Sequence, residues 1–263
     1  MKKKVLLIAA IFTAGITFAQ DQMTSKKGTP ILPEAGDYAI GFDAGNLIDF
    51  GGNLFNGNDS NSTGSLSLMN ANTIYGKLFI DANTAYRGML RIGFGSNTVK
   101  TPVANTAPGA AAGSTVEDEV KTSATNITIG GGIEMRRGKG RLQGVYGPMV
   151  MIMFGAGNTE NTYGNNLNDQ GAGASRVTEN KNGGTFGITL GAFGGVEYFF
   201  APKISVGAEV MWGLNFNSTG AGEVTTESTD GTTITSTTVE SGTSSSFGLD
   251  VVPNSVISLN FHF

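Results

Sequence analysis

The chain has 263 residues, of which 40 are glycine, 14% are charged, one is histidine and none is cysteine. Without cysteine there is no disulfide framework and no thiolate chemistry. The 17 Lys and Arg, less Lys2, Lys3 and Lys4 of the N-terminal run, leave 14 basic against 21 acidic residues, a charge of −7. That balance excludes a nucleic-acid binder built on clustered Lys and Arg.

Met1 and the three lysines precede an apolar run from Val5 to Phe18, with Thr17 and Ala19 at the −3 and −1 positions of a cleavage site. A basic start, a short apolar stretch and a small-residue exit predict a secretory signal peptide over residues 1–19. The apolar stretch, about 14 residues, falls short of the roughly 20 that cross a bilayer as a helix, and no later run approaches that length. Residues 20–36, polar and carrying Pro30 and Pro33, predict a flexible periplasmic lead-in. The remainder, 37–263, predicts one folded unit.

From Tyr38 onward the apolar residues recur with a period of two, the mark of strands. The first strand carries Tyr38, Ile40, Phe42 and Ala44 on one face. The second, Asn72 to Asp81, sets Ile74, Leu78 and Ile80 against Tyr75, Lys77 and Phe79. The third runs through Tyr86, Leu90, Ile92 and Phe94, opposed by Arg87, Met89 and Arg91. The fourth spans Ala124 to Arg136 and the fifth Leu142 to Phe154, where Val150 and Ile152 alternate with Met149, Met151 and Met153. Thr185 to Phe200 is the sixth and Ile204 to Phe216 the seventh. The eighth is the terminal strand, with Ile257, Leu259, Phe261 and Phe263 on one face and Ser258, Asn260 and His262 on the other. Pro148 cannot donate to a ladder and predicts a bulge or local kink.

Connections after the second, fourth and sixth strands are a few residues long. Those after the first, third, fifth and seventh are long, at Gly45–Ala71, Gly95–Ser123, Gly155–Gly184 and Asn217–Ser246. Strands this long, with short turns on one side and long polar loops on the other, predict an all-β fold. Its form is an eight-stranded antiparallel up-and-down transmembrane β-barrel with four long extracellular loops and three short periplasmic turns. A soluble sandwich also alternates but does not account for the strand lengths or the loop asymmetry.

In that arrangement the aliphatic faces meet lipid. Tyr38, Ile80, Tyr198, Phe200, Phe261 and Phe263 are expected at the periplasmic rim, and Phe94, Phe154, Phe186 and Phe216 at the outer one. The inward faces carry Lys77, Arg87, Arg91, Glu134, Arg136, Arg141, Glu197 and Glu209, a candidate lumenal ion-pair network. Many inward positions are glycine (Gly130, Gly132, Gly147, Gly187, Gly191, Gly195, Gly207), which either loosens the lumen or relieves strain where a small barrel bends.

His262 lies at the periplasmic end of the last strand, so it cannot serve a catalytic site in the outer loops. Gly93-Phe94-Gly95, Gly155-Ala156-Gly157 and Gly171-Ala172-Gly173 complete no nucleotide-binding pattern. No catalytic residue, cofactor or metal site is expected. The acidic run Glu117-Asp118-Glu119 admits two readings, a divalent-cation bridge to lipopolysaccharide or a hydrated, self-repelling loop. Asp230-Gly231, between Thr- and Val-rich runs, predicts a β-hairpin over Glu223–Glu240. Leu47, Ile48, Phe50, Leu54 and Phe55 predict a first loop that packs on the barrel mouth.

The terminal Phe263, paired with Phe261 on one face, resembles the closing strand of bacterial outer-membrane barrels, whose last Phe the assembly machinery recognises. With the leader and loop asymmetry, residues Tyr38 to Phe263 resemble the small OmpA/OmpX/OmpW-like outer-membrane barrels of Gram-negative bacteria. The resemblance implies outer-membrane lipids, lipopolysaccharide and the barrel-assembly machinery as partners. No periplasmic peptidoglycan-binding domain or plug domain is expected. The leading functional expectation is a non-enzymatic integral outer-membrane protein, structural or surface-interacting through its loops. A porin-like narrow channel or transporter for a small solute is the alternative, and an adhesin acting through the last loop is the third reading.

Overall fold

The computed structural model describes residues 23–43 and 73–263. The expected leader and the first loop, with Leu47, Ile48, Phe50, Leu54 and Phe55, lie outside the described residues. The described chain is all-β and antiparallel. Its strands are β1 (Tyr38–Asp43), β2 (Thr73–Asp81), β3 (Thr84–Ala104), β4 (Thr115–Arg137), β5 (Leu142–Thr162), β6 (Ser175–Ala201), β7 (Ile204–Thr219), β8 (Glu223–Thr229), β9 (Ile234–Glu240) and β10 (Ser244–His262). A single 3-10 turn occupies Leu167–Gln170.

Eight of these strands form a hydrogen-bonded ring. Pairing proceeds from β1 in order through β7, then to β10, which returns to β1. These are the eight strands read from the alternation, and their closure sets Ile40 opposite Phe261 and Phe42 opposite Leu259. The three short turns fall where expected, after β2, β4 and β6. In the last of them Lys203 adopts φ 59°. There its amide donates to the Ile31 carbonyl at 3.1 Å while its carbonyl accepts the His262 amide at 2.8 Å.

The opposite end is more ordered than the loop assignments anticipated. Most of Gly95–Ser123 is ladder, with β3 and β4 paired as far as Ala104 and Thr115. β5 and β6 likewise reach past their expected ends, so only residues 163–174 connect them. Thr and Val supply the β-branched side chains that favour extended backbone. The Asp230-Gly231 hairpin is present as β8 and β9, with Gly231 at φ 94°. Through β8 it pairs with the outer part of β6 and adds to the wall on one side.

Side chains are distributed inside out. On β2, Tyr75, Lys77 and Phe79 are buried while Ile74, Leu78 and Ile80 are exposed. Lys77 is 5% exposed and Glu134 0%, whereas Leu190 is 53% and Trp212 52% exposed. Inside, Tyr75, Met89, Met149, Met151, Phe193 and Met211 form an apolar layer toward the long-connection end. Ala39, Phe79 and Ala85 form another toward the short-turn end. Residues 23–36, expected as a flexible lead-in, carry structure there. Thr24 bridges Pro30, and Ile31 and Leu32 are buried against Phe199 with Met23 beside them.

The expected aromatic rows are largely outward. Tyr38, Tyr198, Phe200 and Phe263 are exposed at the short-turn end, and Phe94, Phe154 and Phe216 at the other. Phe186 is half-buried with its ring 5.4 Å from Phe154, and Phe261 is also half-buried. Phe247, directly opposite Phe216, lengthens the second row.

At Pro148 the structure holds a gap rather than a bulge. The β4–β5 ladder pauses between Gly132–Met149 and Met135–Tyr146 and resumes in the same register. A Cβ on Gly147 would lie 1.8 Å from the Ile133 carbonyl oxygen, and one on Gly132 would lie 2.3 Å from that of Pro148. The two backbones therefore approach so closely that only glycine fits at either position. True register shifts occur elsewhere, as between Val252 and Val256 of β10.

Candidate functional site

Alternation along six strands of the ring aims polar side chains at one level of its interior. β2 supplies Lys77, β3 Arg87, β4 Glu134 and Arg136, β6 Glu197, β7 Ser205 and Glu209, and β10 Asn260 and His262. Lys77 and Arg87 face each other across the β2–β3 ladder, a repulsive pairing when left alone. Glu134 relieves it, sitting 2.9 Å from Lys77 Nζ and 3.6 Å from Arg87 Nη1. Glu209 takes the other side of Arg87 at 2.6 Å. Glu197 pairs with Arg136 and lies 3.3 Å from Lys77. Three cations thus meet three carboxylates, and this inner cluster is neutral.

Aromatic rings close it from both ends. The Arg87 guanidinium lies 5.1 Å from the Tyr75 centroid and 4.4 Å from that of Phe193. Arg136 lies 5.2 Å from Phe79 and 5.3 Å from Phe199. Burying an ion costs several kcal/mol, so such a cluster persists only when pairing and hydrogen bonds are nearly complete. Glu197 meets that condition, accepting from Ser205 Oγ at 2.5 Å and from Asn260 Nδ2 at 3.1 Å.

Six of the eight charged residues singled out from the sequence come together here. Arg91 is half-buried farther along β3. Arg141 sits at the short-turn end and donates to the Phe199 and Phe200 carbonyls at 3.1 and 2.9 Å. Ser205, Asn260 and His262 were not foreseen as members. Their inward parity was readable, but which distant strand they would meet depends on ring closure.

Ser205, His262 and Glu197 invite comparison with a hydrolytic triad, and the geometry differs. His262 Nε2 faces both Ser205 Oγ at 3.1 Å and Glu197 Oε1 at 3.3 Å. A triad requires the carboxylate on one ring nitrogen and the nucleophile on the other. Here Nδ1 is buried without a hydrogen-bond partner, and Ser205 donates directly to the carboxylate.

The inward glycines do not leave this interior loose. A Cβ on Gly207 would meet Ser258 Oγ at 2.8 Å, one on Gly195 would meet Glu209 Cγ at 2.7 Å, and one on Gly130 would meet Met89 Cγ at 2.5 Å. Between these side chains lies a cavity of about 20 Å³ lined by Tyr75, Arg87, Glu209 and four methionines.

At the long-connection end, residues 163–174 lock neighbouring hairpins together. Asn165 accepts from the Thr106 amide and donates to the Ala104 carbonyl, each at 2.8 Å. Arg176 donates to the Asn165 carbonyl at 2.8 Å, pairs with Glu227 of β8 at 3.2 Å and stacks on Tyr163 at 4.5 Å. Asn168 reaches the β8–β9 turn through the Thr232 carbonyl at 3.1 Å.

The carboxylates of this end are mostly paired. Lys100 lies 3.6 and 3.5 Å from Glu117 and Glu119, Lys121 lies 3.2 Å from Glu160, and Lys181 lies 3.1 Å from Glu179. Strand alternation splits Glu117-Asp118-Glu119 across two faces, and Asp118 accepts the Gly164 amide at 2.9 Å. Among the described residues no group of three or more His, Cys, Asp or Glu side chains is arranged to hold a metal ion. No family model matches the chain, and comparison with curated proteins finds no match.

Proposed function

We propose that the eight-strand ring is an outer-membrane β-barrel whose role is non-enzymatic, structural or surface-interacting, with the long-connection end facing outward from the cell. The observation that carries this reading is the inside-out distribution of side chains around the ring. Ile74, Leu90, Ile129, Val150, Leu190, Trp212 and Leu214 stand outward on six different strands, while Lys77, Glu134, Arg136 and Glu197 are enclosed. In water such a belt is a large exposed apolar patch, whereas in hydrocarbon it is the favoured surface. A closed ladder also leaves no unpaired edge at that depth. Outer-membrane lipids and lipopolysaccharide are the partners that follow from this placement.

Against the channel alternative stands the neutral, side-chain-filled cross-section between Tyr75 and Phe199. For the surface role, the support is the locked cluster of residues 163–174 with its neighbouring hairpins, which presents a defined shape. Because the chain lacks cysteine, single-cysteine variants report topology cleanly. Thr235→Cys in whole cells should react with a membrane-impermeant maleimide, and Asn83→Cys should react only after the outer membrane is permeabilised. Equal reactivity of both positions in intact cells would overturn the placement.

A further inference from the structure

Five of the nine methionines occupy inward positions of the ring: Met89 on β3, Met149, Met151 and Met153 on β5, and Met211 on β7. The outward positions of the same strands use Ile, Leu, Val and aromatic residues instead. Met89, Met149, Met151 and Met211 line the cavity of about 20 Å³, a space fit for a single water molecule or a single ion. Room for these side chains comes from glycine. A Cβ on Gly130 would lie 2.9 Å from both Met89 Sδ and the Met149 methyl, and one on Gly191 would lie 2.8 Å from the Met211 methyl.

Thioethers are soft, neutral donors that select Cu(I) and its congener Ag(I) over hard cations. The chain has no thiolate to compete, and its single imidazole is engaged with Glu197 and Ser205. Arg87 also borders the cavity, but Glu209 compensates its charge at 2.6 Å and Tyr75 and Phe193 cover its faces. An entering monovalent ion therefore meets a neutral pair rather than a bare cation. Met153 stands one inward position farther along β5 toward the long-connection end, where an ion would first encounter a thioether.

We propose that this methionine-lined cavity binds a monovalent soft metal ion, Cu(I) or Ag(I), through the thioethers of Met89, Met149, Met151 and Met211. The competing account is that flexible methionines merely fill an irregular interior.

The test uses the full chain folded in detergent, incubated with silver nitrate in chloride-free buffer and desalted. Bound silver is measured by mass spectrometry, and its coordination shell by X-ray absorption. About one silver ion per chain with a sulfur shell is expected. Retention should fall at least tenfold in the volume-conserving double variant Met149→Leu/Met151→Leu, and should be unchanged in Met23→Leu. A parallel measurement on the unmodified chain follows peroxide oxidation of each methionine, which silver should slow at least fivefold at Met149 and Met151. That arm decides the matter should the double variant fail to fold. No retained silver, equal retention by the double variant, an oxygen or nitrogen shell, or unprotected Met149 and Met151 would each leave core filling as the account and overturn the proposal.

Discussion

Glu197→Gln is the most informative single change because Glu197 is where two cations and three neutral donors converge. Without its charge, Lys77 keeps Glu134 at 2.9 Å, but Arg136 is left with Glu134 at 3.8 Å alone. The enclosed cluster then holds three cations and two carboxylates, with Arg136 side-chain exposure of only 1%. Breaking a buried pair by removing one partner costs about 3–5 kcal/mol, and the expected loss lies in that range. Glu197→Gln/Arg136→Gln restores neutrality. The cost of this double variant should fall short of the sum of the two single costs by about 2 kcal/mol. Urea titration in detergent, followed by the fluorescence of Trp212, measures all four corners of the cycle. A single-variant loss under about 1 kcal/mol, or strictly additive losses, would mean that water screens the cluster and that the interior is not dry.

Gly147→Ala places a Cβ where only 1.8 Å separates it from the Ile133 carbonyl oxygen, and should abolish the compact, heat-modifiable band on a gel. Gly194→Ala, with nothing within 4 Å, should leave that band unchanged. Arg176→Gln removes the pair with Glu227 and should raise amide exchange in β8 about tenfold, the equivalent of roughly 1.4 kcal/mol for a partly buried charged contact. Unchanged exchange would show that the β5–β6 connection does not hold the hairpin. The Asp230 carboxyl is held below its ordinary range by the amides of Thr233 and Thr232. A depressed folded value contributes order above the unfolded value, near 3.9, that is lost only as pH falls through the lower folded one. Protection of the Thr232 and Thr233 amides should therefore survive acidification to about that pH, and should be lost at all pH values in Asp230→Ala.

The eight ring strands were legible because large aliphatic and aromatic side chains recur at every second position along one face of each. Asp230-Gly231 was legible because a tight hairpin needs that chemistry. The outer halves of β3 to β6 were not, since both faces there carry Thr, Asn, Ser and small residues and no period of two in hydropathy marks them. The inward charges were visible as a set, but their partners were not. Lys77 and Glu197 are 120 residues apart and meet only across a closed ring. Arg141 shows the opposite limit, sharing a strand's parity yet ending on backbone carbonyls at the rim. Pro148 was correctly marked as a disturbance, but the form it takes depends on Gly132 and Gly147 yielding space on adjacent strands.

The β1–β10 seam gives the ring a direction in time. Among the described residues it runs from Ala39–His262 to Asp43–Ser258. The strands bounding the seam come from opposite ends of the described chain, so every other ladder of the ring can zip between near neighbours in sequence before this one has both its halves. Lys203 then acts as a clasp, its two backbone groups taking one bond from the N-terminal segment and one from the last strand. Closure thus falls to the pairing whose two strands lie farthest apart in sequence, which sets it last in the order of assembly.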